Sequence, residues 1–287
     1  MHHAATGADL AGHRLAKLLA PQSVALVGAS PKPDTVGSGM IHGLLCGGFK
    51  GRIYPINPNY TQIDGMRCYR SFAELPERVE HALLGVANAR LEAAMRDAVV
   101  AGVSATTILA SGYLGGDGVP PLTHRLARLA RGAGMQVCGG NGMGFYNNEA
   151  GVRLCGFPPP DWVASGPIAL ISHSGSAFSA LVHNDRRFGH CLAVSAGQEL
   201  VTTAADYLDY ALRMPRTRVV GLFLETIRDP TGLVAGFALA NERDIPIVVL
   251  KVGRTPESAA LALSHSGRSW ATTLSSARFS AAMVSSR

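Results

Sequence analysis

The chain lacks the features that mark membrane spans, disulfide scaffolds and metal sites. No apolar run in its 287 residues reaches the ~18 that a membrane-crossing helix needs. The opening "MHHAATGADLAGHRLAKLLAPQ" has no continuous apolar core of the kind a secretory signal carries, so the chain reads as cytoplasmic with no membrane partner. Cys46, Cys68, Cys138, Cys155 and Cys191 are odd in number, scattered and without a C-x-x-C pair. That excludes a disulfide framework and argues against zinc, and no metal is expected. Charge is scarce as well: 16% of residues are charged against 47% hydrophobic, which suffices for one large or two ordinary cores. The formal net charge is +6, but no basic run exceeds Arg186-Arg187. Nucleic acid is therefore not an expected partner, and an anionic small ligand accounts for the charge equally well. No G-x-S-x-G elbow occurs, which counts against a serine hydrolase.

What is present is alternation. Short runs rich in Val, Ile and Leu are separated by longer helical patterns, the signature of parallel strands joined by crossover helices, so the fold class is α/β. Strands are expected at 23–29, 52–57, 81–87, 104–111 and 135–139, with helices clearest at "ARLEAAMRDAVVAG" and "PPLTHRLARLARGAG". The prolines of "CGFPPPDWVASGP" interrupt the pattern and place a domain boundary near 156–166. A second unit follows, with strands in "PIALISH", "LAVSA", "VVGLFLE" and "PIVVLKV" and helices near 176–187, 203–214 and 231–243.

Two places invite a ligand. "SVALVGASPKPDTVGSG" is a buried strand running through a small-residue loop into a helix, which offers backbone N–H groups to a phosphate. Gly28, Gly37 and Gly39 allow close backbone approach, although their spacing is not G-x-G-x-x-G. A nicotinamide enzyme would carry an acid at the end of the second strand, whereas this chain has Asn57 and Pro58 there, which points to another adenine nucleotide with an extra phosphate. The second place is the tetrapeptide Ser-His-Ser-Gly, found at 172–175 and again at 264–267. The first copy precedes a helix, so Ser172, Ser174, Gly175 and Ser176 present hydroxyls and N–H groups where an anion is stabilised; an ordinary serine N-cap is the plainer alternative.

The ordered set "VALVGAS", "IYPINP", "CGGNGMGFYN", "ISHSGS", "GQELVTTAADYLDY", "LFLETIRDP" and "VVLKVGRT" followed by a second SHSG resembles the NDP-forming acyl-CoA synthetases. That superfamily includes ADP-forming acetate-CoA ligase and the succinyl-CoA ligase α subunit. The resemblance implies a Rossmann-like CoA-binding domain over 15–156, a flavodoxin-like domain over 165–267 and an atypical, poorly packed tail over 268–287. It implies coenzyme A as ligand, held by Gly28, Ala29, Ser30, Val36, Gly37, Asn57, Pro58, Val86 and Asn141. It assigns the phosphate cradle to Ser172, Ser174 and Gly175, the phosphoryl carrier to His265 and the carboxylate that orients it to Glu225, leaving His173 as a loop residue. The family interconverts acyl-CoA, ADP and phosphate with free acid, CoA and ATP.

The chain departs from the family at "GGNGMG", where Gly140 and Gly142 replace the Pro and Cys of "GPNCxG", and at Ala87, where a proline is common. Nothing in it resembles an ATP-grasp domain, so ATP, ADP and magnesium are expected to act only through such a domain or a β-type subunit, without which the chain would be inactive. A small carboxylic acid or its acyl-CoA completes the expected partners, with a second copy of the chain as a further one. The tail reads either as the product of a changed reading frame near Trp270 or as the end of a true α subunit. The rival function is a non-catalytic CoA-binding or regulatory protein.

Overall fold

A computed structural model describes residues 8–157, 160, 163–184 and 188–253. His265 and the tail 268–287 lie outside the described residues. Two short helices, α1 (Ala8–Ala11) and α2 (Ala16–Leu19), lead into the alternation of β1 (Ser23–Val27), α3 (Val36–Gly47), β2 (Arg52–Ile56) and a small antiparallel pair, β3 (Gln62–Ile63) and β4 (Met66–Arg67). Then come β5 (His81–Leu84), α4 (Asn88–Val100), β6 (Ala105–Ile108), α5 (Leu122–Gly132) and β7 (Gln136–Gly139). All five larger strands are parallel, in the order β2-β1-β5-β6-β7. Strands β5 and β6 are buried at every position because helices cover both faces, and their polar members His81, Thr106 and Thr107 are buried with the rest.

The chain then forms a hairpin, β8 (Gly144–Asn147) and β9 (Val152–Cys155), followed by β10 (Ile168–Ser172), α6 (Gly175–Val182), β11 (His190–Ser195), α7 (Ala204–Arg213), β12 (Val219–Leu224), α8 (Pro230–Glu242) and β13 (Ile247–Lys251). Four of these strands are parallel, and the hairpin extends their sheet, giving the order β13-β12-β10-β11-β8-β9. The hairpin falls inside the range expected for the first domain, 15–156, yet its hydrogen bonds belong to the second sheet. Alternation along a strand does not report which sheet the strand will join, so the sequence could not place it.

The two sheets share one apolar core. Leu26 and Leu83 of the first, Phe145 of the hairpin, and Leu192 and Leu208 of the second belong to a single buried cluster. Helix α3 is drawn against β9 by glycines one turn apart: a Cβ at Gly39 would meet the Gly156 carbonyl at 2.8 Å, one at Gly43 the Arg153 carbonyl at 2.7 Å, and one at Gly47 the Gly151 carbonyl at 2.7 Å. Gly39 therefore serves packing between the halves rather than approach to a phosphate.

Candidate active site

In an open parallel α/β sheet, ligands bind beyond the carboxyl ends of the strands where the strand order reverses. Each half of this chain has such a point, between β1 and β5 in the first sheet and between β10 and β12 in the second. A cavity of about 380 Å³ lies at the first, lined by Val36 at the start of α3, Gly85 and Val86 after β5, Leu109 and Ala110 after β6, and Asn141 and Met143. A cavity of about 330 Å³ lies at the second, lined by His173, Ser174, Gly175 and Ser176 after β10, Glu225 after β12, and Gly197 and Gln198. Asn141 and Met143 line both, so the two cavities meet at one wall.

That shared wall is held tightly. The Asn141 amide donates to the Ala110 carbonyl at 2.9 Å, the Gln198 amide to the Gly140 carbonyl at 2.8 Å, and the Met143 amide to the Ser195 hydroxyl at 3.0 Å. A side chain at 142 would place its Cβ 2.6 Å from the Ser195 carbonyl, and one at 140 would sit 3.0 Å from the Ala110 carbonyl. The glycines that depart from the family pattern thus let the loop bridge the two sheets without a side chain between them. Asn141 has φ 54, a left-handed conformation that Asn tolerates better than most residues.

On the first side, Gly28 (φ 90) could not carry a Cβ, which would lie 2.5 Å from the Gly85 carbonyl, and a Cβ at Gly37 would lie 2.5 Å from the Gly28 carbonyl and 2.7 Å from the Ser30 nitrogen. These two glycines let the β1–α3 loop fold against the start of α3, which Thr35 and Ser38 cap reciprocally. Ala29 is buried, and the Ser30 hydroxyl accepts the Lys32 amide at 3.1 Å. Of the residues expected to hold CoA, Val36, Val86 and Asn141 line the cavity, while Gly28, Ala29, Ser30 and Gly37 shape the loop beside it. Asn57 has a different role: its side-chain amide donates to the Ala29 carbonyl at 2.8 Å and its carboxamide oxygen accepts the Asn59 amide at 3.0 Å. An aspartate could not donate to Ala29, so the missing acid has a structural cause. Pro58, which follows, is exposed and lines neither of the two cavities.

On the second side, Ser174 is the N-cap of α6, its hydroxyl accepting the Ala177 amide at 3.2 Å while it lines the cavity. Cap and cradle coexist, because the first amides of a helix have no intrahelical partner and carry its positive dipole end. Gly175 is required by the approach of Met143, whose Cγ would lie 2.9 Å from a Cβ there. Ser172 is not on the wall: it is buried, and its hydroxyl donates to the Ser174 carbonyl at 2.8 Å, which shapes the loop instead. Glu225 is brought to this cavity by β12, as its sequence position at a strand end suggests.

His173 is more than a loop residue. It is 6% exposed, and its Nδ1 accepts the backbone amides of Glu225 at 3.1 Å and Thr226 at 3.4 Å while Nε2 faces a Glu199 carboxylate oxygen at 3.0 Å. The amides can only donate, so Nδ1 carries no proton and Nε2–H donates to Glu199. Neither nitrogen is left to act as a nucleophile. The thiols nearby are no better placed: burial pushes Cys138 up to about 11 and raises Cys155. Among the described residues no group of three His, Cys, Asp or Glu side chains is spaced to hold a metal ion, and no helix is long and apolar enough to cross a membrane.

Comparison with known proteins agrees with this architecture. Residues 22–148 match the family "CoA binding domain", and residues 165–284 match the family "Succinyl-CoA ligase like flavodoxin domain". The chain belongs to the NDP-forming acyl-CoA synthetase superfamily. It is 31% identical over 261 residues to the α subunit of acetate–CoA ligase [ADP-forming] I of Pyrococcus furiosus, covering 88% of this chain and 56% of that one. It is 28% identical over 256 residues to acetate–CoA ligase [ADP-forming] II of Archaeoglobus fulgidus, covering 88% of this chain and 37% of that one. Its fold matches the acetyl-coenzyme A synthetase 1 of Candidatus Korarchaeum cryptofilum, solved with phosphate and ADP, at TM-score 0.82 and 32% identity, over 94% of this chain and 57% of that one. The chain thus spans between about a third and just over half the length of these relatives.

Proposed function

We propose that this chain supplies the CoA site and the phosphoryl-carrying site of an ADP-forming acid–CoA ligase, with a phosphohistidine at His265 passing phosphate between nucleotide and acid. The observation that carries the reading is the shared wall: a cavity in the CoA-binding half and an anion-favouring cavity in the ligase half meet at Asn141 and Met143. A thioester and a phosphoryl group handled by one enzyme have to meet, and adjoining cavities at two strand-order reversals suit that need. The first cavity is bounded mainly by apolar side chains and backbone, which suits the slender arm of CoA, with Val36, Val86 and Asn141 against it and the β1–α3 loop beside it. The second offers the amides at the start of α6 to a phosphate and the Glu225 carboxylate to a histidine entering from outside the described residues. An ATP-grasp domain, on this or another chain, would supply the nucleotide chemistry with magnesium; the acids handled by the relatives suggest a small carboxylic acid as substrate.

The test combines the protein with an ATP-grasp β-type partner, ATP and magnesium and measures acid-labile phosphate on this chain. Label on the unmodified protein, its abolition in His265→Ala and its reduction in Ser174→Ala are the expected outcome. Calorimetry should show CoA binding more tightly than NAD. CoA binding without label, despite a competent partner, would replace this reading with that of a CoA-binding or regulatory protein.

A further inference from the structure

Beneath the second cavity lies a carboxylate that the proposed chemistry does not use. The Glu199 side chain is 1% exposed, and one of its oxygens accepts from His173 Nε2 at 3.0 Å and from the Ala204 amide. The other oxygen lies 3.4 Å from Arg228 Nε. Burying a carboxylate is costly unless every oxygen is compensated, so these partners are needed wherever Glu199 sits. What they hold is specific. His173 Nδ1 receives the amides of Glu225 and Thr226, and Arg228 stands three residues further along the same turn between β12 and α8. Both ends of the turn that carries Glu225 therefore face one buried carboxylate, one through a hydrogen bond from the imidazole and the other through an ion pair with the guanidinium. The Glu225 carboxylate itself has no hydrogen-bond partner among the described residues and lines the cavity.

We propose that His173, oriented by Glu199, is a positioning residue that sets where the Glu225 carboxylate stands in the phosphoryl site. This rests on the reading of Glu225 as the group that faces the phosphoryl carrier. The first Ser-His-Ser-Gly copy then does two things at once: Ser174 and Gly175 bound the anion site, and the histidine between Ser172 and Ser174, on the same wall, spends its ring nitrogens on Glu199 and on the opposing carboxylate's backbone. Placement by a backbone hydrogen bond matters because a displacement of about 1 Å in a reacting group can slow a reaction on the order of a hundredfold.

Two replacements separate the ring's two jobs. In His173→Asn the carboxamide oxygen replaces Nδ1 as acceptor for the Glu225 amide, and Glu199 loses a donor. In His173→Gln the terminal amide reaches Glu199 as Nε2–H does, and the Glu225 and Thr226 amides lose their acceptor. His173→Asn is expected to be the less stable protein in urea and yet to load phosphate within about threefold of the unmodified rate, whereas His173→Gln, the more stable of the two, loads tenfold or more slowly. A merely structural role would make rate follow stability; that order, equal rates in the two variants, or no change in either would overturn the proposal. Hydrogen exchange at the Glu225 and Thr226 amides gives a readout independent of activity: faster in His173→Gln, protected in His173→Asn, and the reverse is again fatal. Glu225→Gln is the control on the underlying reading. If it loads label as fast as the unmodified protein, the assignment of Glu225 has failed, while the exchange data still decide whether His173 holds the turn.

Discussion

At the scale of single residues, a side-chain amide serves as a donor at the position where a nicotinamide enzyme would carry an acid. Asn57 ties the end of β2 to the Ala29 carbonyl, and Asn57→Asp would exchange a hydrogen bond for repulsion between two oxygens. A loss of about 1–3 kcal/mol in urea unfolding is expected, together with weaker CoA binding, since the loop beside the cavity is released; unchanged affinity would show that the loop is held by other contacts. Two buried histidines make stability depend on pH. His81 lies between the Leu18 carbonyl, 2.9 Å from Nδ1, and the Thr107 hydroxyl, 3.0 Å from Nε2, and burial lowers it from 6.5 to about 4; burial likewise lowers His190 to about 4. Below pH 6.5 the unfolded chain takes up protons that the folded chain refuses until about pH 4. The stabilisation is therefore complete above 6.5 and lost progressively between 6.5 and 4, on the order of 3 kcal/mol for each histidine. Urea midpoints across that window should fall, and His81→Asn, which keeps a donor toward Leu18, should lower the stability at pH 7 but flatten the slope.

At the scale of elements, the glycines of α3 invert a usual rule. Replacing a mid-helix glycine by alanine normally favours the helix by about 1 kcal/mol. At Gly43 the new methyl would lie 2.7 Å from the Arg153 carbonyl, and a backbone carbonyl cannot rotate aside. Overpacking of this kind costs about 1–3 kcal/mol, so Gly43→Ala should lower the urea midpoint; a raised midpoint would mean that α3 can lift from β9 without loss. Two helices show what was readable locally. Helix α7 starts at Thr203 with a reciprocal cap from Asp206, and α8 starts at Asp229 with Pro230 in its first turn; both signals stand in the sequence, and both helices begin within about a residue of where periodicity puts them. The β8–β9 hairpin was not readable, because antiparallel pairing to β11 joins residues as far apart in the chain as Asn147 and Leu192 or Gly144 and Ser195.

At the scale of the whole molecule, the two family domains are not separate bodies. They share the cluster that runs from Leu26 through Phe145 to Leu208, they exchange the hairpin, and Arg131 of the first half donates to the Leu200 carbonyl at 2.9 Å. Heating should therefore give one cooperative transition, with calorimetric and van't Hoff enthalpies in agreement. Two resolved transitions would show that the halves unfold independently and that the shared core contributes little.

The alternation of the parallel strands with their crossover helices and the superfamily were written in the sequence, because apolar periodicity, helix caps and an ordered run of motifs are local properties. The same local logic placed Ser174, Gly175 and Glu225 at strand ends and so at the carboxyl edge of a sheet. Only the tertiary structure decided that the two cavities share Asn141 and Met143, that Ser172 turns inward, that Asn57 clamps a loop, and that His173 has both nitrogens engaged. Each of these depends on a partner 26 residues or more away, or on the path of a neighbouring loop. Hydrogen bonds and glycine contacts of that kind are fixed by packing between elements, on which a one-dimensional pattern carries no information.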